Sequence, residues 1–240
     1  MWCDAPAMTD KWTVVPHRTP ADAAEAELIQ AGLRERLVLP EGPIAPPVTV
    51  TGLDISYAVG SRRAVAAAVT IEVSSLHILE VAIAQGAVRF PYVPGLLAFR
   101  EIPLLLEALE RLDRRPEVLI CDGYGIAHPR RFGLASHLGV LLDRPSFGVA
   151  KNEFIGVYAE PGPRRGEWSP LREGDEVLGR AVRTQTEVKP VYVSVGHRIG
   201  LTDATDLTVR LSTHFRVPEP TRQADIVSRQ ILRDTWRGML

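Results

Sequence analysis

Val50-Thr51-Gly52-Leu53-Asp54-Ile55-Ser56-Tyr57 is the stretch on which the fold turns. Its β-branched and aromatic residues make 48–57 a strand, and alternation puts Val48, Val50, Gly52, Asp54 and Ser56 on one face. Two more Val/Ile/Thr-rich runs, 64–73 and 76–84, follow across short turns at Gly60-Ser61 and Ser74-Ser75. Connections this short join antiparallel neighbours, so the three runs form a meander. Further on the order changes. Leu105, Ala108, Leu109 and Leu112 recur at helical spacing, with Pro103 suited to a first turn. Val118 to Cys121 make a short apolar strand, 132–142 a helix, and Ser146 to Val149 another buried strand. Strand–helix–strand order requires a parallel crossover. The expected class is α/β: a meander feeding parallel strands in one mixed sheet, with helices on both faces.

Outside this block the first dozen residues, through Trp12, carry no periodicity. Residues 1–17 are expected to form a disordered tail, with Met8 an alternative start, and 18–240 a single domain. Thr19-Pro20-Ala21-Asp22 resembles a helix start with Thr19 as N-cap, and the Ala/Glu/Leu-rich run to Leu37 continues it. Pro40, Pro43, Pro46 and Pro47 stiffen the connector that follows. Strands are expected at 176–183 and 190–195, and helices at 203–212 and 221–236. There is no internal repeat and no low-complexity segment.

The bulk numbers exclude more than they identify. With 240 residues, 45% hydrophobic and 24% charged, the chain can bury a sizeable core and is no disordered or fibrous protein. No apolar run approaches a membrane span, and the start is too polar for a signal peptide. Cys3 and Cys121 lack metal-ligand spacing, which suggests a reduced, cytoplasmic setting. The net charge of −1 means that no strongly basic surface announces a nucleic-acid partner. No spare amphipathic helix is evident, so a monomer is expected.

Four carboxylates stand out, although each has an ordinary explanation. Asp54 shares its strand face with valines, an expensive place for a charge unless that face is at an edge or the charge is paired or metal-bound. Asp122 ends Val118-Leu119-Ile120-Cys121 and leads into Gly123-Tyr124-Gly125. It can be a turn aspartate, yet ligand crevices form at the carboxyl ends of parallel strands. Glu101 lies just before the Pro103 helix, where the helix dipole favours an acid. Asp225 can pair with Arg229 one helical turn on. Together, two acids on neighbouring strands and two from flanking helices could hold Mg²⁺ through hard oxygen ligands. Phosphodiester hydrolysis uses such ions to generate the nucleophile and stabilise the leaving oxygen.

Longer motifs sharpen this reading. Pro91-Tyr92-Val93-Pro94-Gly95-Leu96-Leu97-Ala98-Phe99-Arg100-Glu101 resembles a signature segment of the endonuclease V family, as does Asp122-Gly123-Tyr124-Gly125-Ile126-Ala127-His128-Pro129-Arg130-Arg131-Phe132-Gly133-Leu134-Ala135-Ser136-His137. Gly148-Val149-Ala150-Lys151, Gly196-His197 and Pro218-Glu219-Pro220-Thr221-Arg222 match in the same order. The likeness runs from about residue 20 to about residue 236. It implies a ribonuclease H-like fold and a Mg²⁺-dependent nuclease, with Mn²⁺ as a substitute. The implied cut is at the second phosphodiester bond 3′ to deoxyinosine in DNA, leaving a 3′-hydroxyl and a 5′-phosphate.

By motif, Asp54, Glu101 and Asp122 carry over as catalytic, metal-holding carboxylates, and Asp225 as a further metal neighbour. His128 and Lys151 fall near the scissile phosphate. Pro91, Tyr92, Val93 and Pro94 become a stiff wedge that fills the gap left by an extruded base. Gly95, Leu97 and Gly123 are candidate base-pocket residues, Gly95 being equally well explained as a turn glycine. Inosine in RNA, or a binder of deaminated sites that does not cut, are the alternatives. Arginine outnumbers lysine by 25 to 3, the mark of a GC-rich genome, and a bacterial source is expected.

Overall fold

A computed structural model describes residues 7–8, 11–40 and 42–236. Cys3 lies outside them. The chain orders as β1 (Ala7–Met8), β2 (His17–Arg18), α1 (Ala23–Arg34), β3 (Thr49–Tyr57), β4 (Arg63–Glu72), β5 (Ile78–Ala87), α2 (Leu97–Glu110), β6 (Leu119–Cys121), α3 (Leu134–Leu142), β7 (Ser146–Ala150), β8 (Trp168–Glu173), β9 (Glu176–Val182), β10 (Val191–His197), α4 (Leu201–Leu211) and α5 (Glu219–Trp236).

Eight strands form one sheet in the order β5-β4-β3-β6-β7-β10-β9-β8. The meander pairs antiparallel throughout, from Thr49 with Glu72 to Tyr57 with Ala64, and β4 continues likewise onto β5. β3, β6 and β7 run parallel, and β10, β9 and β8 complete the sheet antiparallel. This is the expected mixed sheet. Its two faces bury separate cores. Leu53, Leu119 and Cys121 pack with α2 and α3 residues such as Phe99, Leu105 and Leu138. Val50, Ile120 and Val149 face the other way, towards Ala204, Leu207 and Leu211 of α4 and Ala224 of α5.

Several boundaries differ from the sequence reading, each for a local reason. The cap of α1 is Asp22, whose carboxylate accepts from the Glu25 amide at 2.9 Å, so Thr19 and Pro20 lie outside the helix. α2 begins at Leu97, which puts Glu101 within the helix and Pro103 in its interior. A proline there removes one backbone hydrogen bond at about 3 kcal/mol; the helix persists because it buries nine side chains, Phe99, Ile102 and Leu105 among them. β8 was not expected, since Pro170 interrupts its pattern, and it lies at a sheet edge where proline is tolerated. Residues 11–17, expected in the tail, lie against the domain. The Val14 and Val15 amides donate to the Leu141 carbonyl, Lys11 Nζ to that of Leu112, and His17 meets His137. Among the described residues no helix is long and apolar enough to cross a membrane.

Candidate active site

Asp54 and Asp122 stand side by side because β3 and β6 are parallel neighbours. Leu53 is in register with Cys121, and the Asp122 amide donates to the Leu53 carbonyl at 3.3 Å, so the following residues, both aspartates, share a face. β6 ends at Cys121, at the carboxyl edge where α/β sheets form crevices, while β3 runs three residues beyond Asp54 to Tyr57. α2 brings Glu101 from one side of the sheet. One cleft of about 240 Å³ is lined by Asp54, Glu101 and Asp122 together with Leu53, Leu105 and Leu134. α5 brings Asp225 from the other side, and a second cleft holds Asp54, Asp122, Lys151, Asp225 and Arg229. All four expected carboxylates therefore converge, from four elements.

Gly52 explains how α5 reaches them. A Cβ at this position would fall 2.2 Å from the Pro220 carbonyl carbon, so only glycine lets the helix start lie on β3.

The acids are held and charged unequally. Glu101 is 6% exposed, and burial, with the charges of Asp54 and Asp122, pushes its carboxyl up to about 8 despite a 2.9 Å hydrogen bond from Tyr57 Oη. Asp54 is pushed up to about 7 by burial and by Asp122 and Asp225, against a 3.1 Å hydrogen bond from Ser228 Oγ. Ser56 shares a 2.8 Å hydrogen bond with the same Ser228 hydroxyl. Asp122 is ion-paired with Lys151 Nζ. Burial opposes the lysine's charge, but that contact and the neighbouring aspartates hold its pKa above the ordinary value. Asp225 pairs with Arg229 at 2.7 Å, as a bland reading of the helix anticipates, and still faces the cleft.

Among the described residues no three acidic, histidine or cysteine side chains stand in a ready ligating arrangement. The donor set nevertheless fits a hard divalent cation. Its ligands are carboxylate oxygens, crowded enough to raise one another's proton affinity, and a cation would relieve that crowding.

Beside the carboxylates opens a cavity of about 360 Å³, within the usual range for small-molecule sites. Asp122 and Lys151 form one wall. Tyr92, 69% exposed, and Pro94 form another, and the expected Gly95, Leu97 and Gly123 also line it. Pro91 and Val93 belong to the same tip but do not line the cavity. His128 is buried in the wall, where its Nδ1 accepts from the Arg130 amide at 3.2 Å and its ring bonds the Gly95 backbone. Burial and the Arg130 charge depress its pKa to about 4, so it is neutral near pH 7. The ring is thereby tied to the turn at Gly95.

Sequence reasoning missed Gln30, Phe154 and Asn152, which also line the cavity. Gln30 had a detectable signal: it sits between Ala26 and Leu33 on the apolar stripe of α1, an unusual place for an amide.

Fold and site together define a class, a nucleic-acid-cleaving hydrolase on a ribonuclease H-like sheet. The sequence profile of the Endonuclease V family matches residues 32–226. An endonuclease V of Streptomyces avermitilis is 51% identical over 222 residues, covering 92% of this chain and 96% of its own. The crystal structure of endonuclease V from that organism superposes with a TM-score of 0.87 at 50% identity, over 90% of this chain and 96% of the other. The Ciona intestinalis enzyme, solved with a DNA containing an inosine followed by a ribo-adenosine, gives 0.78 at 29% identity over 88% and 98%. The chain belongs to the endonuclease V family and is a nuclease, which removes the reading as a binder that does not cut.

Proposed function

We propose that this nuclease is a divalent-metal-dependent DNA repair enzyme that recognises deoxyinosine. It cuts the second phosphodiester bond on the 3′ side, leaving a 3′-hydroxyl and a 5′-phosphate. The observation that carries this is the junction at Asp122, one side chain bordering both the carboxylate clefts and the base-sized cavity behind Tyr92. Asp54, Glu101, Asp122 and Asp225 would hold Mg²⁺, or Mn²⁺ in its place. When bound, the ion supplies water activation and neutralisation of charge at the phosphate.

The chain's own groups do the rest. Lys151, paired with Asp122, offers a compact positive charge at the border of cavity and clefts, where it can meet a phosphate oxygen. Tyr92, on a tip stiffened by Pro91 and Pro94, fills the stack when the lesion base leaves it. The apolar walls shed water from the base, and fixed backbone groups around Gly95 and Gly123 tell the N1–H donor and O6 acceptor of hypoxanthine from adenine's reversed pattern.

The test uses end-labelled duplexes carrying a single inosine, with matched adenine controls and with or without Mg²⁺. The expected product is a metal-dependent nick one nucleotide beyond the lesion, and equal cutting of the adenine duplex contradicts the proposal. An inosine-containing RNA is the second substrate to pair with it, because the DNA bound by the Ciona relative carries a ribose next to the inosine. Faster RNA cleavage would make RNA the substrate.

A further inference from the structure

The Gly95 carbonyl is gripped by side chains from two other parts of the chain. Gln30 Nε2, on α1, donates to it at 3.2 Å and to the Phe132 carbonyl at 2.7 Å. Arg130 Nη2 donates to it at 2.8 Å, while Arg130 Nε donates to Gln30 Oε1 and Nη1 to Glu27 at 3.2 Å. On the other side of the same peptide the Leu96 amide donates to the Val93 carbonyl at 2.9 Å. The peptide that closes the Tyr92 tip is thus held at both ends. Gly95 has φ +80, and a Cβ there would sit 2.8 Å from Arg130 Nη2, so the turn is built around this grip as well as around its own backbone need.

Gln30 is 1% exposed and uses both ends of its amide here. An amide buried in an apolar stripe is costly unless fully bonded, so its side-chain identity answers to this site. Resting on the function proposed above, we infer that Gln30, relayed by Arg130, is a positioning residue for base recognition. It sets the wall of the cavity and the angle of the wedge from outside the catalytic cluster. A wedge acts only if it does not yield when pushed into a base stack; Val93 rests on the core, but Tyr92 stands 69% exposed at the tip. α1 supplies the missing stiffness.

The experiment compares the parent with Gln30→Met, which keeps the volume and loses both hydrogen-bonding ends, and Gln30→Glu, which keeps the acceptor for Arg130 and loses the donor. Each is assayed on an inosine duplex and its adenine counterpart, with 2-aminopurine beside the lesion to report unstacking. Both variants are expected to raise KM for the inosine duplex about tenfold, the scale of one lost buried hydrogen bond. kcat should stay within about twofold, and the 2-aminopurine signal on binding should fall. A folded Gln30→Met or Gln30→Glu with the parent's KM and fluorescence overturns the inference. If Gln30→Met does not fold, Arg130→Met, which leaves α1 intact, carries the same expectation and the same refutation. A parent that shows no preference for inosine sinks the proposed function; a parent that shows it alongside indifferent variants sinks this inference alone.

Discussion

The chemistry rests on which charges can coexist. Lys151→Met removes the cation paired with Asp122 and should lower kcat by roughly 10²–10³, the usual loss for one preorganised charge stabiliser, with a smaller change in KM. A single-turnover nicking assay checks this, and a kcat within threefold of the parent contradicts it. Asp54 and Glu101 give a pH prediction. Their folded-state values, about 7 and about 8, exceed those of free carboxyls, so the folded state binds more protons than the unfolded one across that interval. Without metal, stability should therefore fall as pH rises from about 4 through about 8. Asp54→Asn should be the more stable protein at pH 8, by about a few °C in Tm, with the advantage shrinking towards pH 4. A thermal-melt series in chelator with no pH-dependent difference between parent and variant refutes it. The sequence named these acids, but not their inequality. Nothing in Leu53-Asp54-Ile55 shows that Ser228 and Asp225 will approach from a helix some 170 residues later.

At the scale of elements, the decisive contact is the start of α5 on β3. Gly52→Ala puts a methyl 2.2 Å from backbone that cannot rotate away. It should cost about 3 kcal/mol, the upper end of ordinary overpacking, and displace Asp225 and Ser228 together with the helix. The expected result is a Tm lower by roughly 5–10 °C, with metal affinity falling in parallel. A Gly52→Ala protein with parental Tm contradicts the packing described. Periodicity found the meander and the two parallel strands because their alternation is strong and their turns are short. It misjudged α2, where Pro103 looks like a beginning although packing carries the helix six residues further back. It missed β8 because an edge strand containing Pro170 satisfies geometry without satisfying pattern.

Over the whole molecule, the sheet acts as a partition through which two faces reach one edge. α2 delivers Glu101 from the Phe99 side and α5 delivers Asp225 from the Ala224 side, while β3 and β6 hold Asp54 and Asp122 between them. Such convergence is tertiary, and no local rule reads it. The family motifs brought these residues to notice, and the parallel register of β3 and β6 gives the reason they meet. The central claim is that the four acids act as one cation site. Calorimetric titration of Mn²⁺ into the protein without DNA, near pH 7 in buffers of differing ionisation enthalpy, addresses it directly. Binding should be accompanied by proton release from carboxyls held protonated by burial and by one another's charge, and should be at least tenfold weaker in both Asp54→Asn and Asp122→Asn. Equal Mn²⁺ affinity in parent and variants, or binding with no proton released, would contradict it.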